Sequence, residues 1–232
     1  MEFHLLSLHP DLLEGPLRGS ILGRAQKAGH FKASVYDIRQ HGLGKHKSVD
    51  DSPYGGGAGM VMRVDVVVDA IEAVRRPESR VLLMSPGGRR LDQGLAQELS
   101  TEAHLVLVCG HYEGIDARVL DHVDEEVSLG DFVLTGGELP ALALVDAVAR
   151  LIPGVLGNAD SPVDESFSTG GLEYPQFTRP VEFRGVEVPA VLRNGNHGAI
   201  AAWRAEAGVR RTAQMRPDLL SDSKEKADGS HD

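Results

Sequence analysis

The chain has 232 residues, of which 41% are hydrophobic and 25% charged, and its formal net charge is −10. These proportions predict a globular protein with room for one medium domain and one small domain. No apolar run approaches the roughly 20 residues that span a membrane, and a single cysteine excludes an internal disulfide and most structural zinc sites. The amino terminus lacks the basic and apolar regions of a signal peptide, so we expect a cytoplasmic protein.

Charge is distributed unevenly along the chain. Residues 18–63 hold eight Lys or Arg against three Asp or Glu, and residues 176–220 hold seven Arg against four acids. Residues 102–138, in contrast, hold nine acids and one arginine. The two basic stretches would suit a polyanion such as a nucleic acid, although an ordinary mixed surface gives similar counts. Aromatic residues make up only 5% of the chain, which argues against a base-stacking platform.

The first half of the chain alternates between apolar strand patterns and helical patterns. The predicted strands are Phe3–Leu8, Phe31–Ile38 and Val81–Met84. Three helices are predicted: a short one capped by Asp11, one at Val64–Val74, and one from Asp92 to about Leu99. Residues 40–60 are rich in glycine and have no regular period. Loops of this length are usually functional or disordered.

The second half continues the alternation and then changes character. The predicted elements are strands at His104–Cys109 and Glu126–Leu129, helices at Ile115–Val123 and Glu138–Leu151, a hairpin at Val181–Val188, and a helix from Asn196 to about Ala207. Such an order predicts an α/β protein with a parallel sheet. We divide the chain into a main domain (1–157), a linker or lid (158–175), a small C-terminal domain (176–220) and a disordered tail (221–232).

Three glycine-rich junctions carry the strongest functional signal. They are Leu83–Gly88, Cys109–Asp116 and Ser128–Pro140, and each follows a short apolar run. Glycine lets backbone groups approach a ligand closely, so the three junctions predict a site for a small polar cofactor. None of them reads GxGxxG, which argues against an ordinary dinucleotide-binding fold.

Eight segments, in order over nearly the whole chain, resemble the bacterial tRNA (guanine-N1)-methyltransferases of the TrmD family. The matching segments are Pro53–Met60, Leu83–Pro86, Leu91–Gln93, Cys109–Asp116, Ser128–Pro140, Ile152–Gly157, Tyr174–Pro180 and Gly195–His197. Each segment alone is weak evidence, whereas the ordered set is highly specific.

The resemblance implies a SPOUT-like fold, in which the α/β domain ends in a trefoil knot and is followed by a linker and a small, mostly helical domain. It implies that residues 1–157 bind S-adenosylmethionine, that residues 158–175 form a flexible lid, and that residues 176–220 bind tRNA. The implied cofactor-binding residues are Leu83, Ser85, Gly110, Tyr112, Glu113, Leu129, Gly130, Asp131, Phe132, Val133, Leu134, Gly136, Gly137 and Pro140.

The implied reaction is transfer of a methyl group to N1 of the guanine immediately 3′ of the anticodon. N1 must lose its proton to a base, and negative charge develops on O6, so a carboxylate and an arginine are required. The family's arginine matches Arg150. Its catalytic aspartate stands in an Asp-Ser-Phe context, which reads Asp164-Glu165-Ser166-Phe167 here. Strict alignment favours Glu165 as the base, with Asp164 as the alternative; Gly171 also departs from the family, which commonly has a bulky apolar residue there.

The glycine-rich loop in the first half matches the family's loop for the target guanine. Its implied substrate-binding residues are Asp50, Gly55, Gly56, Gly57, Gly59 and Met60. The neighbouring segment Lys45–Lys47 is either a phosphate-binding turn or a solvated basic turn. The resemblance further implies a homodimer with sites at the subunit interface and a magnesium requirement, although no all-carboxylate cage is evident and we assign no metal ligand.

Three other functions compete with this interpretation. A knotted methyltransferase for another RNA target, such as a ribose 2′-hydroxyl, would not need Pro53–Met60 or Thr178–Pro180, and both are present. A nucleotide-dependent oxidoreductase would need GxGxxG, which is missing. A catalytically impaired RNA-binding homologue is suggested only by Glu165 at the position of the catalytic aspartate.

Overall fold

The computed structural model describes residues 1–157, 165–168 and 170–220. The chain divides into two compact units, Met1–Ala159 and Asp160–Asp232. The predicted tail at 221–232, and residues 158–164 and 169 of the predicted lid, lie outside the described residues. No described helix is both long enough and apolar enough to cross a membrane.

Nine strands and six α-helices make up the described regular structure. The strands are β1 (Glu2–Ser7), β2 (Lys32–Asp37), β3 (Asp50–Asp51), β4 (Val61–Met62), β5 (Ser79–Arg90), β6 (His104–Cys109), β7 (Glu125–Ser128), β8 (Glu182–Phe183) and β9 (Val186–Glu187). The helices are α1 (Pro10–Arg18), α2 (Ser20–Lys27), α3 (Val64–Val74), α4 (Gln93–Leu99), α5 (Glu138–Ala149) and α6 (His197–Met215). Short 3₁₀ helices cover Ile38–His41, Ala117–His122 and Ala190–Arg193.

The first unit is built on a five-stranded sheet in the order β2-β1-β6-β5-β7. All four strand pairings are parallel, as the sequence predicts. The central strand β6 is buried along its whole length because helices cover both faces of the sheet. Leu105 and Leu107 of β6 join the core beneath α1, α2, α4 and α5, whereas Val106 and Val108 join the core beneath α3. Because every parallel strand runs the same way, the carboxyl ends of all five strands lie at one edge.

Several predicted boundaries are wrong for identifiable reasons. Helix α1 begins at Pro10 after His9, so Asp11 lies in its first turn and is not its cap. Proline is favoured at the first position of a helix because it has no backbone N–H that would be left without a partner. Helix α2 was not predicted, because it spans only eight residues and contains a glycine. The segment Ala117–His122 is a 3₁₀ helix, and β5 continues past its glycines to Arg90 through a register shift after Met84.

In the second unit the predicted hairpin is present. Arg184 and Gly185 both have positive φ, as a tight two-residue hairpin turn requires. The side chain of Asn196 accepts a hydrogen bond from the Ala199 amide at 3.1 Å, which confirms it as the cap of α6. Helix α6 extends to Met215, eight residues beyond the predicted end. Gly208, which follows Ala207, lies inside the helix against the Leu172 carbonyl and does not end it.

Candidate active site

A cavity of about 400 Å³ lies at the carboxyl ends of β6 and β7 and at the irregularity in β5 after Met84. All three predicted glycine junctions contribute to its wall. This is the edge at which parallel α/β sheets bind ligands, and the volume lies within the range of small-molecule sites. The first unit therefore offers one well-formed site where the sequence predicts a cofactor.

Thirteen of the fourteen predicted cofactor-binding residues line this cavity. Asp131 is the exception, since it belongs to the same loop without lining the cavity. Sequence reasoning missed several further lining residues. They are Met84, Pro86, His111, Gly114, Ile115, Asp116, Ala117, Leu120, Glu126, Val127, Ser128 and Thr135. The only sequence signal for these residues was their position inside or beside the three junctions.

Gly137 allows the second and third junctions to meet. A side chain there would begin 2.7 Å from the Cα atom of Cys109 and 2.9 Å from the Gly110 nitrogen. The Gly137 amide also donates a hydrogen bond to the Gly110 carbonyl at 2.9 Å. Both contacts involve backbone atoms, which have little freedom to move aside, so only glycine fits at this position.

Apolar side chains surround the mouth of the cavity. Phe132 and Val133 are 54% and 83% exposed, and Tyr112 and Leu134 are also exposed. The Phe132 ring folds back over Gly130, where a Cβ atom would lie 2.8 Å from the ring. Clustered exposed apolar groups at a cavity mouth indicate a binding surface, and such groups can flank the flat face of an adenine.

Two ionisable groups near the cavity are unsuited to acid–base or nucleophilic roles. A hydrogen bond from the Arg118 side chain lowers the pKa of Asp116 to about 2. Asp116 is thus ionised at neutral pH and too weak a base to take a proton from a nucleobase nitrogen. Complete burial raises the pKa of the Cys109 thiol, which keeps it protonated and confirms the prediction of a structural strand end.

The predicted guanine-receiving loop is attached to the rim of the cavity. The Glu113 amide donates a hydrogen bond to the Met60 carbonyl at 3.1 Å, and the Glu113 side chain occupies the space a side chain at Gly59 would need. Gly55, Gly56, Gly57 and Gly59 all have positive φ, a conformation that favours glycine. Asp50 pairs with Met62 in the small β3–β4 ribbon at the base of the loop.

Of the predicted catalytic residues, Arg150 lies in the first unit but away from the cavity wall. Arg150 caps the carboxyl end of α5, whereas Pro140 in its first turn lines the cavity, so about 15 Å of helix separates them. Glu165 is half-buried and begins a turn in which its carbonyl accepts a hydrogen bond from the Ser168 amide. Asp164 lies outside the described residues.

The described part of the predicted lid packs on α6 within the second unit. The Leu172 amide donates a hydrogen bond to Thr212 Oγ1 at 2.9 Å, and Arg211 donates to the Glu173 carbonyl. Gly171 lies against the same threonine, where a Cβ atom would be 3.1 Å from Oγ1. A bulky residue at 171 would therefore displace this contact. Among residues 1–157, 165–168 and 170–220, no group of three or more His, Cys, Asp or Glu side chains is arranged to hold a metal ion.

Comparison with known proteins matches the sequence to one family. The family model for tRNA (guanine-1)-methyltransferase TrmD matches residues 1–222. The tRNA (guanine-N(1)-)-methyltransferase of Myxococcus xanthus is 57% identical over 220 residues, covering 94% of this chain and 89% of the relative. That of Limosilactobacillus fermentum is 51% identical over 230 residues, covering 97% and 91%. That of Geobacter sulfurreducens is 53% identical over 223 residues, covering 95% and 91%.

The match extends over the sheet, the three junctions and α6, and the identities are far above the level at which membership is in question. The chain belongs to the tRNA (guanine-1)-methyltransferase TrmD family.

Proposed function

We propose that the protein transfers a methyl group from S-adenosylmethionine to N1 of the guanine immediately 3′ of the anticodon in tRNA. The observation that carries this proposal is the convergence of the three glycine junctions on one cavity, in a chain that belongs to a methyltransferase family. The corresponding location is the cytoplasm, where tRNA is modified and used.

The cavity has the features that S-adenosylmethionine requires. Gly110 and Gly137 present backbone at close range, and Phe132 and Leu134 offer apolar surface for an adenine ring. Glu113 on the rim is suited to the positively charged amino group of the methionine part. When bound, the sulfonium supplies an already activated methyl group, so the protein's task is to align donor and acceptor.

Removal of the N1 proton and stabilisation of O6 are left to the protein. We assign Glu165 as the general base that accepts the N1 proton, with Asp164 as the alternative, because a positioned carboxylate is suited to this role. We assign stabilisation of the negative charge on O6 to the Arg150 guanidinium, which is always positively charged. The magnesium requirement that the resemblance implies has no matching ligand group among the described residues, and we derive no step from it.

Binding of tRNA is supported by the basic stretches and the loop at the cavity rim. Arg204, Arg210 and Arg211 are exposed on α6, and Lys45–Lys47 are exposed beside the glycine loop. These cations suit a phosphate backbone. The positive φ angles of the glycine loop suit passage of an extruded guanine. A ribose-methylating relative would not need that loop, which is why the guanine is favoured.

A homodimer is part of the proposal because α5 leaves apolar surface uncovered. Leu139 is exposed and Ala143 is half-buried, and Leu142 and Ala147 pack only partly against the core. Such a helix suits a subunit interface. In such a dimer the second subunit would supply catalytic groups to the cavity. The trefoil knot around the junctions and the tRNA-binding role of 176–220 remain proposals on the same family basis.

Methyl transfer to two tRNA transcripts tests the proposed function. One transcript carries guanine 3′ of the anticodon, and the other differs only by adenine there. With isotopically labelled S-adenosylmethionine, we expect label on the guanine transcript alone, because adenine lacks both the N1 proton and O6. Label on both transcripts would mean that another nucleotide is methylated and would favour the ribose-methylating alternative. Label on neither, with cofactor binding intact, would favour an RNA-binding homologue without activity.

A further inference from the structure

A largely buried chain of hydrogen bonds links three segments at the wall of the cavity. Ser7 Oγ at the end of β1 donates to Glu138 Oε1 at 2.5 Å, and His111 Nε2 in the second junction lies 2.8 Å from Glu138 Oε2. A carboxylate only accepts, so Nε2 carries the hydrogen. The His9 amide in turn donates to Ser7 Oγ at 2.8 Å, and the His9 ring meets the His111 ring edge-on at 4.6 Å.

This chain spans the two junctions that form the cavity wall. His111 and Gly136 form an isolated antiparallel bridge, and Gly137 bonds the Gly110 carbonyl. The side chains of His111 and Glu138 join the same two loops a second time, immediately behind that bridge. A side chain at Gly136 would strike both of them. Backbone and side-chain links together fix the spacing between the second and third junctions.

The burial of Glu138 makes the chain sensitive to loss of any member. Glu138 is 2% exposed and Ser7 is fully buried. A buried carboxylate is tolerated only with its hydrogen bonds in place, and its position in the first turn of α5 adds a favourable helix dipole. Loss of one donor leaves a buried oxygen unpaired, so the surrounding loops must move to satisfy it. Ser7 bonds Glu138 and not His111, so it is not arranged as a nucleophile.

We propose that the Ser7–Glu138–His111 chain is a positioning device for the cofactor, holding Gly110 and Gly136–Gly137 at the separation that S-adenosylmethionine requires. The inference rests on the proposed function, since it concerns the same cavity. A substitution at Ser7 tests this role directly, because Ser7 does not line the cavity. Any effect of Ser7 on cofactor affinity must pass through Glu138 and the loops.

The test compares Ser7→Ala with Ser79→Ala in the full-length protein. Ser79 is also a strand serine, with its hydroxyl 2.6 Å from the buried His104 ring, at the opposite edge of the sheet. Calorimetry gives the Kd for S-adenosylmethionine, and steady-state kinetics give kcat and the two KM values. For Ser7→Ala we expect Kd and the cofactor KM to rise about tenfold, with kcat at saturating cofactor and the KM for tRNA within twofold of wild type. Ser79→Ala should leave all four values unchanged.

A near-isosteric variant, Glu138→Gln, guards against a folding defect in Ser7→Ala. Circular dichroism and the melting temperature establish which variants are folded, and either folded variant decides the question. Unchanged cofactor affinity in a folded Ser7→Ala or Glu138→Gln protein would overturn the positioning role. An equal loss of affinity in Ser79→Ala would overturn it too, since the effect would then be general. Failure of the wild-type protein to bind S-adenosylmethionine would instead contradict the proposed function itself.

Discussion

Replacing Glu165 with alanine is expected to slow methyl transfer to tRNA by about 10²- to 10⁴-fold, the usual contribution of a positioned general base. The guanine N1 proton would then have no acceptor when the methyl group arrives. The affinity for S-adenosylmethionine should not change, because the described cofactor cavity is lined by residues of the first unit and Glu165 belongs to the second. Single-turnover rates with saturating cofactor and tRNA measure the effect.

The pH dependence separates loss of a base from loss of tRNA binding. As the pH rises towards the pKa of N1, guanine loses its proton without help, so the deficit of Glu165→Ala should shrink. Glu165→Gln is the matched control for size and should be as slow as the alanine variant. Asp164→Ala should stay within a few-fold of wild type. A large loss in Asp164→Ala with little in Glu165→Ala would transfer the role to Asp164, and little loss in either would contradict a carboxylate base in this segment.

Introducing a single methyl group at Gly137 should weaken S-adenosylmethionine binding about tenfold or more. The new Cβ atom of Gly137→Ala would begin 2.7 Å from the Cys109 Cα atom, so the second and third junctions must separate. Forcing extra atoms into a packed site costs about 1–3 kcal/mol, and each 1.4 kcal/mol corresponds to about a factor of ten in affinity. Isothermal titration calorimetry with the cofactor measures the loss.

Gly87→Ala is the matched control for this substitution. Gly87 lies in the first junction, has no positive φ, and has only the Ser85 hydroxyl near its Cβ position, at 3.8 Å. We expect Gly87→Ala to bind the cofactor within twofold of wild type. Equal affinity in Gly137→Ala and wild type would mean that the contact between Gly137 and Cys109 does not set the shape of the cavity.

The sheet and the cavity wall were largely predictable from the sequence because they depend on local patterns. Apolar runs such as His104–Cys109 mark strands buried on both faces, and parallel strands bring their carboxyl ends to one edge. Glycines after those runs therefore had to meet at that edge. The family resemblance then supplied the identity of individual positions, and thirteen of its fourteen cofactor positions line the cavity.

The hydrogen bonds behind the cavity were not predictable, because their members are far apart in the chain. Ser7 and Glu138 are separated by 131 residues, and neither sits in a pattern that marks it as polar and buried. Glu138 would ordinarily be assigned to the exposed first turn of a helix. Helix α2 and the true end of α6 were missed for a different reason: short helices and helix ends depend on tertiary packing more than on propensity.

The most direct test of the proposed function is to identify the modified nucleoside and its position in tRNA after reaction with the wild-type protein. Digestion and mass spectrometry identify the nucleoside, and primer extension locates it, because a methyl group on N1 blocks the base-pairing edge and stops the polymerase. We predict 1-methylguanosine alone, with primer extension stopping one nucleotide 3′ of the guanine that follows the anticodon, because that guanine can no longer be copied. A ribose-methylated nucleoside, or 1-methylguanosine at any other position, would contradict it.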